Sequence, residues 1–298
     1  MYPNVEAYVS ELRERLAGSD PATIQDALAD AEDHLQSALE QAQRDHPEAT
    51  PESLLSGIIA NFGTPEEVAK AYRDIEVRLT PPFAPVAKKD TRPFHVRFFG
   101  VLGEPRAYAA LLYLLTSMVT GILYFTWAVT GVSLSLGLMV LIFGLPFFGL
   151  FVFSIQGLAL VEGRLVEALL GVRMPRRQVP FRTAGSGIWK RFVARLKDRR
   201  TWTTLAYLVL QLPFGILHFT VFIVLLAYSL QLLALPVLQL VFDQPLFSFS
   251  FGKYFVPLWS MPLLFLAGIL DIIVLLHLAK FVGRQHGAMA KALLVQRA

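Results

Sequence analysis

Residues 107–161 contain no Asp, Glu, Lys or Arg. A run of 55 uncharged residues far exceeds the roughly 20 that one helix needs to cross a bilayer. Two spans fit it, with a short turn expected near Gly131 to Ser135. Residues 201–242 form a second uncharged run, and residues 254–279 a third that only Asp271 interrupts. These predict a third span from about Thr203 to Leu226, a re-entrant or interfacial segment to Pro257, and a fourth span from Leu258 to Lys280. The expected fold class is an all-α membrane protein with four transmembrane helices. Splitting 203–242 into two spans would give five crossings and put the C-terminal tail on the other side of the membrane.

Charge sets the orientation. Residues 1–80 carry 16 acids and 6 bases, whereas residues 81–298 carry 7 acids and 21 bases. The stretch 162–200 has eleven bases and three acids, and the tail adds Lys280, Arg284, Lys291 and Arg297 without an acid. Basic loops stay inside, so both termini are expected in the cytoplasm, with the chain in the cytoplasmic membrane of a bacterium. Glu6, Glu11 and Glu14 break up the N-terminus, which excludes a signal peptide there. Lys88, Lys89, Arg92 and Arg97 just ahead of the first span read as inside-facing anchors in preference to specific recognition of anionic lipid. Bases set beside apolar runs argue for contact with the lipid bilayer and against nucleic acid. The absence of cysteine removes disulfides, thiolate metal sites, iron–sulfur clusters and cysteine nucleophiles.

The acidic first 80 residues read as a compact cytoplasmic domain of four helices. The first runs from about Pro3 to Leu16 with Val5, Tyr8, Val9, Leu12 and Leu16 on one face. Asp20 followed by Pro21 opens the second, and Thr50 followed by Pro51 opens the third, which ends at Gly63. Thr64-Pro65-Glu66-Glu67 opens the fourth as a capping box. Pro81, Pro82, Pro85 and Pro93 disfavour helix and mark residues 81–102 as a Pro-rich basic linker, so residues 103–298 form the membrane part.

That membrane part is internally repeated at an offset of 94 residues. Tyr113-Leu114 answers Tyr207-Leu208, Gly121-Ile122-Leu123 answers Gly215-Ile216-Leu217, and Phe125-Thr126 answers Phe219-Thr220. Both copies start inside, so the repeat is parallel, unlike the inverted repeats typical of alternating-access transporters.

Residues from about Gly103 to Leu294 resemble the bacterial Putative sensor domain, a duplicated membrane module. The resemblance is carried by Glu162-Gly163-Arg164, by Glu167-Ala168-Leu169-Leu170-Gly171-Val172-Arg173-Met174-Pro175 and by Asp198-Arg199-Arg200-Thr201-Trp202. It continues in Leu212-Pro213-Phe214-Gly215-Ile216, His277-Leu278-Ala279 and Gly283-Arg284-Gln285-His286-Gly287. Residues 3–75 are similar to the HAAS-type helical domain, whose fourth helix opens as Gly63-Thr64-Pro65-Glu66-Glu67-Val68-Ala69 does here. Relatives of the sensor module often continue into a kinase, for which this sequence leaves no room after the fourth span. HAAS-type domains are often encoded near winged-helix regulators of the PadR type. The resemblance thus implies a sensor or regulator that passes its output to a separate cytoplasmic protein, a transcriptional regulator or a kinase.

Candidate functional residues are few. Asp271 lies about 13 Å from the inner end of the expected fourth span, where a carboxyl is costly to ionise. Counting from the inner ends puts Gln211 and Ser117 at a similar depth and Gln156 somewhat shallower. If those faces meet they form a polar layer, either a packing pin or a proton or cation sensing site. His218 is placed deeper, towards the outer half, as a core histidine or a pH switch. The outer segment 242–259 is aromatic, and Phe247, Phe249 and Phe251 alternate with Ser248 and Ser250 as in a short strand or hairpin. With Tyr254 and Trp259 it forms an aromatic belt or a surface for an apolar signal. Residues 163–200 can form amphipathic helices along Leu165, Val166, Leu169 and Leu170 and along Ile188, Trp189, Phe192, Val193 and Leu196. No metal-ligand spacing, cofactor loop or nucleophile motif occurs, so no cofactor, metal site or enzymatic activity is expected. The sequence points to a non-enzymatic membrane sensor, open to homo-oligomeric assembly, in which the basic inner loop can hold the acidic head in cis. The alternative is a permease subunit or accessory component of a transporter.

Overall fold

The computed structural model describes residues 2–78, 81, 83–84, 93–140, 144–177, 197–243, 245, 247–249 and 252–295. The first four helices are α1 (Val5–Arg15), α2 (Pro21–Asp45), α3 (Pro51–Phe62) and α4 (Pro65–Arg78). Their ends follow from the caps. Asn4 accepts the Ala7 N–H at 2.8 Å and Asp20 accepts that of Ala22 at 2.9 Å. At α4 the Thr64 N–H donates to Glu67 Oε2 at 2.8 Å and the Glu67 N–H donates back to Thr64 Oγ1 at 3.3 Å, a complete capping box. Tyr8, Leu12, Leu16, Leu35 and Leu55 are fully buried between these helices. The Tyr8 hydroxyl donates to the Gly63 carbonyl at 2.8 Å and ties α1 to the α3–α4 turn.

A short helix α5 (Phe94–Gly100) and a 3₁₀ turn (Val101–Gly103) stand within what reads as linker. Four long apolar helices follow: α6 (Pro105–Leu138), α7 (Gly144–Leu165), α8 (Arg199–Phe242) and α9 (Met261–Leu294). Each is long and apolar enough to cross a membrane. Between α8 and α9 lies a hairpin of β1 (Phe247–Phe249) and β2 (Gly252–Tyr254), antiparallel with Phe247 opposite Tyr254. The protein is therefore an all-α multi-pass membrane protein, with one small hairpin among the described residues. The long helices expose large apolar side chains such as Leu123, Trp127, Phe153, Val224 and Leu266, which suit lipid in place of water.

Three boundaries differ from the sequence reading. Helix α6 runs straight through Gly131–Ser135, and the turn comes only after Leu138. Ser135 Oγ donates to the Gly131 carbonyl one turn back, so these polar residues satisfy themselves inside the helix. Helix α8 is unbroken over 44 residues, about 66 Å at 1.5 Å per residue, so no re-entrant segment follows Leu226. Pro213 and Pro236 are accommodated within it. Lastly, Val166–Leu170 continues α7 as a π-helical turn and Gly171 ends it at φ +69°. The stripe Leu165, Val166, Leu169 and Leu170 thus extends the second span, with Val166 and Leu170 buried. The second stripe, Ile188 to Leu196, lies outside the described residues.

The chain divides into two compact units. One comprises Met1–Ala84, Trp127–Tyr207 and Ala288–Ala298, and the other Pro85–Thr126 and Leu208–Gly287.

Candidate functional site

Within the first unit, the segment after the π turn meets the N-terminal end of α2. Asp26 Oδ1 accepts the backbone N–H groups of Arg176 at 2.6 Å and Arg177 at 2.9 Å. Asp26 Oδ2 accepts from the Arg173 guanidinium at 3.4 Å, and the same guanidinium donates to Glu167 at 3.0 Å. The three side chains are only 12%, 8% and 9% exposed for Arg173, Asp26 and Glu167. Arg177 pairs with Asp30 at 2.5 Å, its carbonyl accepts from Gln25 at 3.2 Å, and the Tyr72 hydroxyl donates to Asp30. Lys291 near the end of α9 pairs with Asp20, the α2 cap. Burial pushes the Asp26 carboxyl above the usual carboxylate range, and the two amides and Arg173 only partly offset it.

Sequence reasoning gave the sign of this pairing from the charge totals but not its residues. One signal was present: Ala22, Thr23, Ala27 and Ala29 put small residues on several sides of the helix around Gln25 and Asp26, and all eight positions from Ala22 to Ala29 are buried. A helix turn with no wet face must be covered on two sides. Glu162 was likewise missed as a partner; it is fully buried and accepts from the Tyr207 hydroxyl at 2.7 Å.

In the second unit, Asp271 of α9 accepts from Ser229 of α8, whose side chain is fully buried. The polar layer expected around Asp271 does not form. Gln211 lies 18 residues before Ser229, about 27 Å along α8. The expectation counted depth from a span of Thr203 to Leu226, whereas the helix runs unbroken to Phe242 and offers Ser229 to Asp271. Gln211 and Ser117 do come together, at the crossing of α6 and α8. A methyl added at Gly121 would lie 2.6 Å from the Gln211 carbonyl oxygen, and one at Gly215 would lie 2.4 Å from that of Ser117. At the repeat offset of 94 these are reciprocal contacts of equivalent positions, with backbone on backbone as in small-residue membrane packing. Ser117 Oγ donates to Leu114 within its own helix. Gln156, on α7 in the first unit, is half-buried.

His218 is also placed differently from the sequence reading. Its ring is 5.4 Å from that of His286, well past Lys280 on α9, so it stands at the α9 end remote from the hairpin and not in the outer half. Tyr113 and Phe214 pack on His286 at 5.2 and 6.4 Å. Among the described residues, no group of three or more His, Asp or Glu is arranged to hold a metal.

The outer segment forms the hairpin that the Phe-Ser alternation suggested, although Phe251 lies outside the described residues. Tyr254 and Trp259 are exposed. The hairpin is fastened to α8 by Gln239, whose Nε2 donates to the Val256 carbonyl at 2.7 Å while its Oε1 accepts the Val256 N–H at 2.9 Å. Leu235, Val256, Met261 and Leu264 close over this bond.

Comparison with known proteins places two matches on the chain. A family described as "Putative sensor" matches residues 113–294, and one described as "HAAS" matches residues 7–71. Neither the curated proteins nor the solved structures yield a significant match.

Proposed function

The chain belongs to the Putative sensor family, and from that premise we propose that it is a non-enzymatic membrane sensor whose acidic head, residues 1–80, relays the state of the spans to a cytoplasmic protein. The layout is the HAAS-like head, the linker 81–102 and the membrane part 103–298, with both termini in the cytoplasm as the basic 162–200 stretch favours. The observation that carries this reading is the clamp of Asp26 on Arg173, Arg176 and Arg177. The clamp begins two residues beyond Gly171, where the π turn at the end of α7 stops, so a shift of α7 reaches α2 through seven residues, Gly171 to Arg177. A π turn is a strained element that can revert to α geometry and change register by one residue. Such a change would move Arg173 relative to Asp26 and free the α2 face, which is the surface offered to the partner.

The test is co-purification from mild detergent of the full-length protein, an Arg173→Met variant and a form lacking residues 1–80. A regulator or kinase that is enriched on the variant and lost without the head fits the reading. A partner bound equally with and without residues 1–80 refutes it, and an ATPase held by the membrane part alone would indicate a transporter component.

A further inference from the structure

In the second unit, α5 and the start of α6 enclose a cavity of about 870 Å³ with the far part of α9. Its walls have two characters. Arg97, Lys280 and Arg284 supply cationic groups, while Phe94, Val274 and Phe281 supply apolar surface that is exposed and open to the outside. Among the described residues Glu104 is the one carboxylate of the lining, and it is committed to Lys280 at 2.5 Å. Arg97 and Arg284 have no ion-pair partner among the described residues, and both are exposed. Like charges gathered without a counter-ion lower one another's stability, and an anion placed among them relieves it.

The walls are held in place. His277 Nε2 makes a 3.1 Å hydrogen bond with the Phe98 carbonyl, and the two rings stack at 5.5 Å, fixing α5 to α9. Helix α5 turns Phe94, Val96 and Phe99 outward, a pattern suited to a bilayer interface and not to water. A site for a soluble anion has no use for apolar walls beside its guanidinium groups.

We propose that this cavity binds an anionic phospholipid, with the phosphate held by Arg97 and Arg284 and an acyl chain lying against Val274 and Phe281. Guanidinium groups grip a phosphate through paired N–H bonds, and the volume falls within the range of small-molecule sites. The inference goes beyond the sensor reading and does not depend on it, since the clamp lies in the other unit.

The experiment uses full-length protein in mild detergent with phosphatidylglycerol or phosphatidylcholine as probes, read by native mass spectrometry for retained lipid. The proposal expects phosphatidylglycerol to be retained about tenfold more tightly than phosphatidylcholine, and an Arg97→Gln/Arg284→Gln variant to lose that tenfold preference. An Arg13→Gln/Arg44→Gln variant, equal in charge but altered in the head, should keep it. If the glutamine variant is poorly folded, Arg97→Lys/Arg284→Lys decides: retained charge should keep a preference for the anionic lipid, and Phe281→Ser should weaken retention of both lipids. Equal retention of the two lipids by the unaltered protein overturns the proposal. So does an unchanged preference in the Arg97→Gln/Arg284→Gln variant, or displacement of the lipid by inorganic phosphate, which would mark a site for a soluble anion.

Discussion

The clamp at Gly171–Arg177 and the cavity at Arg97 and Arg284 both gather guanidinium groups, and they differ in what stands opposite. In the clamp every cation faces a carboxylate of the chain: Arg173 faces Asp26 and Glu167, Arg176 faces Glu167, and Arg177 faces Asp30. In the cavity, among the described residues, a single carboxylate stands against three cations and pairs with Lys280 alone of them. Buried and balanced charge makes a joint between parts of one molecule, because either member alone would be costly. Exposed and unbalanced charge costs little in water and is available to something else.

The comparison can be broken at its strongest point by Arg173→Met, which takes from Asp26 its guanidinium partner and leaves Glu167 to Arg164 and Arg176. Removing one member of a buried set costs about 3 kcal/mol, so amide exchange over the first turns of α2 should accelerate by on the order of 100-fold. Unchanged exchange would mean that the head is not held there. Lys280→Met should cost less, about 1 kcal/mol in thermal unfolding, because Lys280 and Glu104 are 22% and 37% exposed and water screens their charges. Smaller again is the effect of Arg97→Gln with Arg284→Gln on stability in lipid-free detergent, expected within about 0.5 kcal/mol. A loss as large as that from Arg173→Met would show that both sites are structural. The smallest effect belongs to Glu67, an exposed carboxylate whose charge is met by the N–H and hydroxyl of Thr64, which hold its pKa below the ordinary glutamate value. Its contribution is present in full above that ordinary value and is lost as pH falls through the lowered one. Glu67→Gln should therefore lower Tm slightly in the neutral region, flatten the acid limb of the profile and leave Tm below the lowered pKa unchanged.

Local chemistry was the legible part of this sequence. Asp20-Pro21, Thr50-Pro51 and Thr64 with Glu67 mark helix starts because a cap acts within three residues, and the helices begin at Pro21, Pro51 and Pro65. The charge-free runs gave four spans because bilayer thickness is a fixed length. Depth was not legible. Hydropathy does not say where α8 leaves the membrane, so Gln211 was set level with Asp271 when Ser229 is its partner. His218 and His286 are 68 residues apart in sequence, and no spacing rule connects two helices that far apart. The clamp was half legible, since its overall sign follows from composition while its pairs depend on a π turn that shifts the register after α7.

The reciprocal seating of Gly121 on Gln211 and of Gly215 on Ser117 limits how α6 and α8 can move. Sliding one helix past the other would drive a bulkier neighbour into a carbonyl at both places at once. Rocking about the crossing opens one side as it closes the other and leaves both glycines in contact. At this crossing α6 and α8 are thus joined as the blades of scissors are, free to change their angle but not their offset.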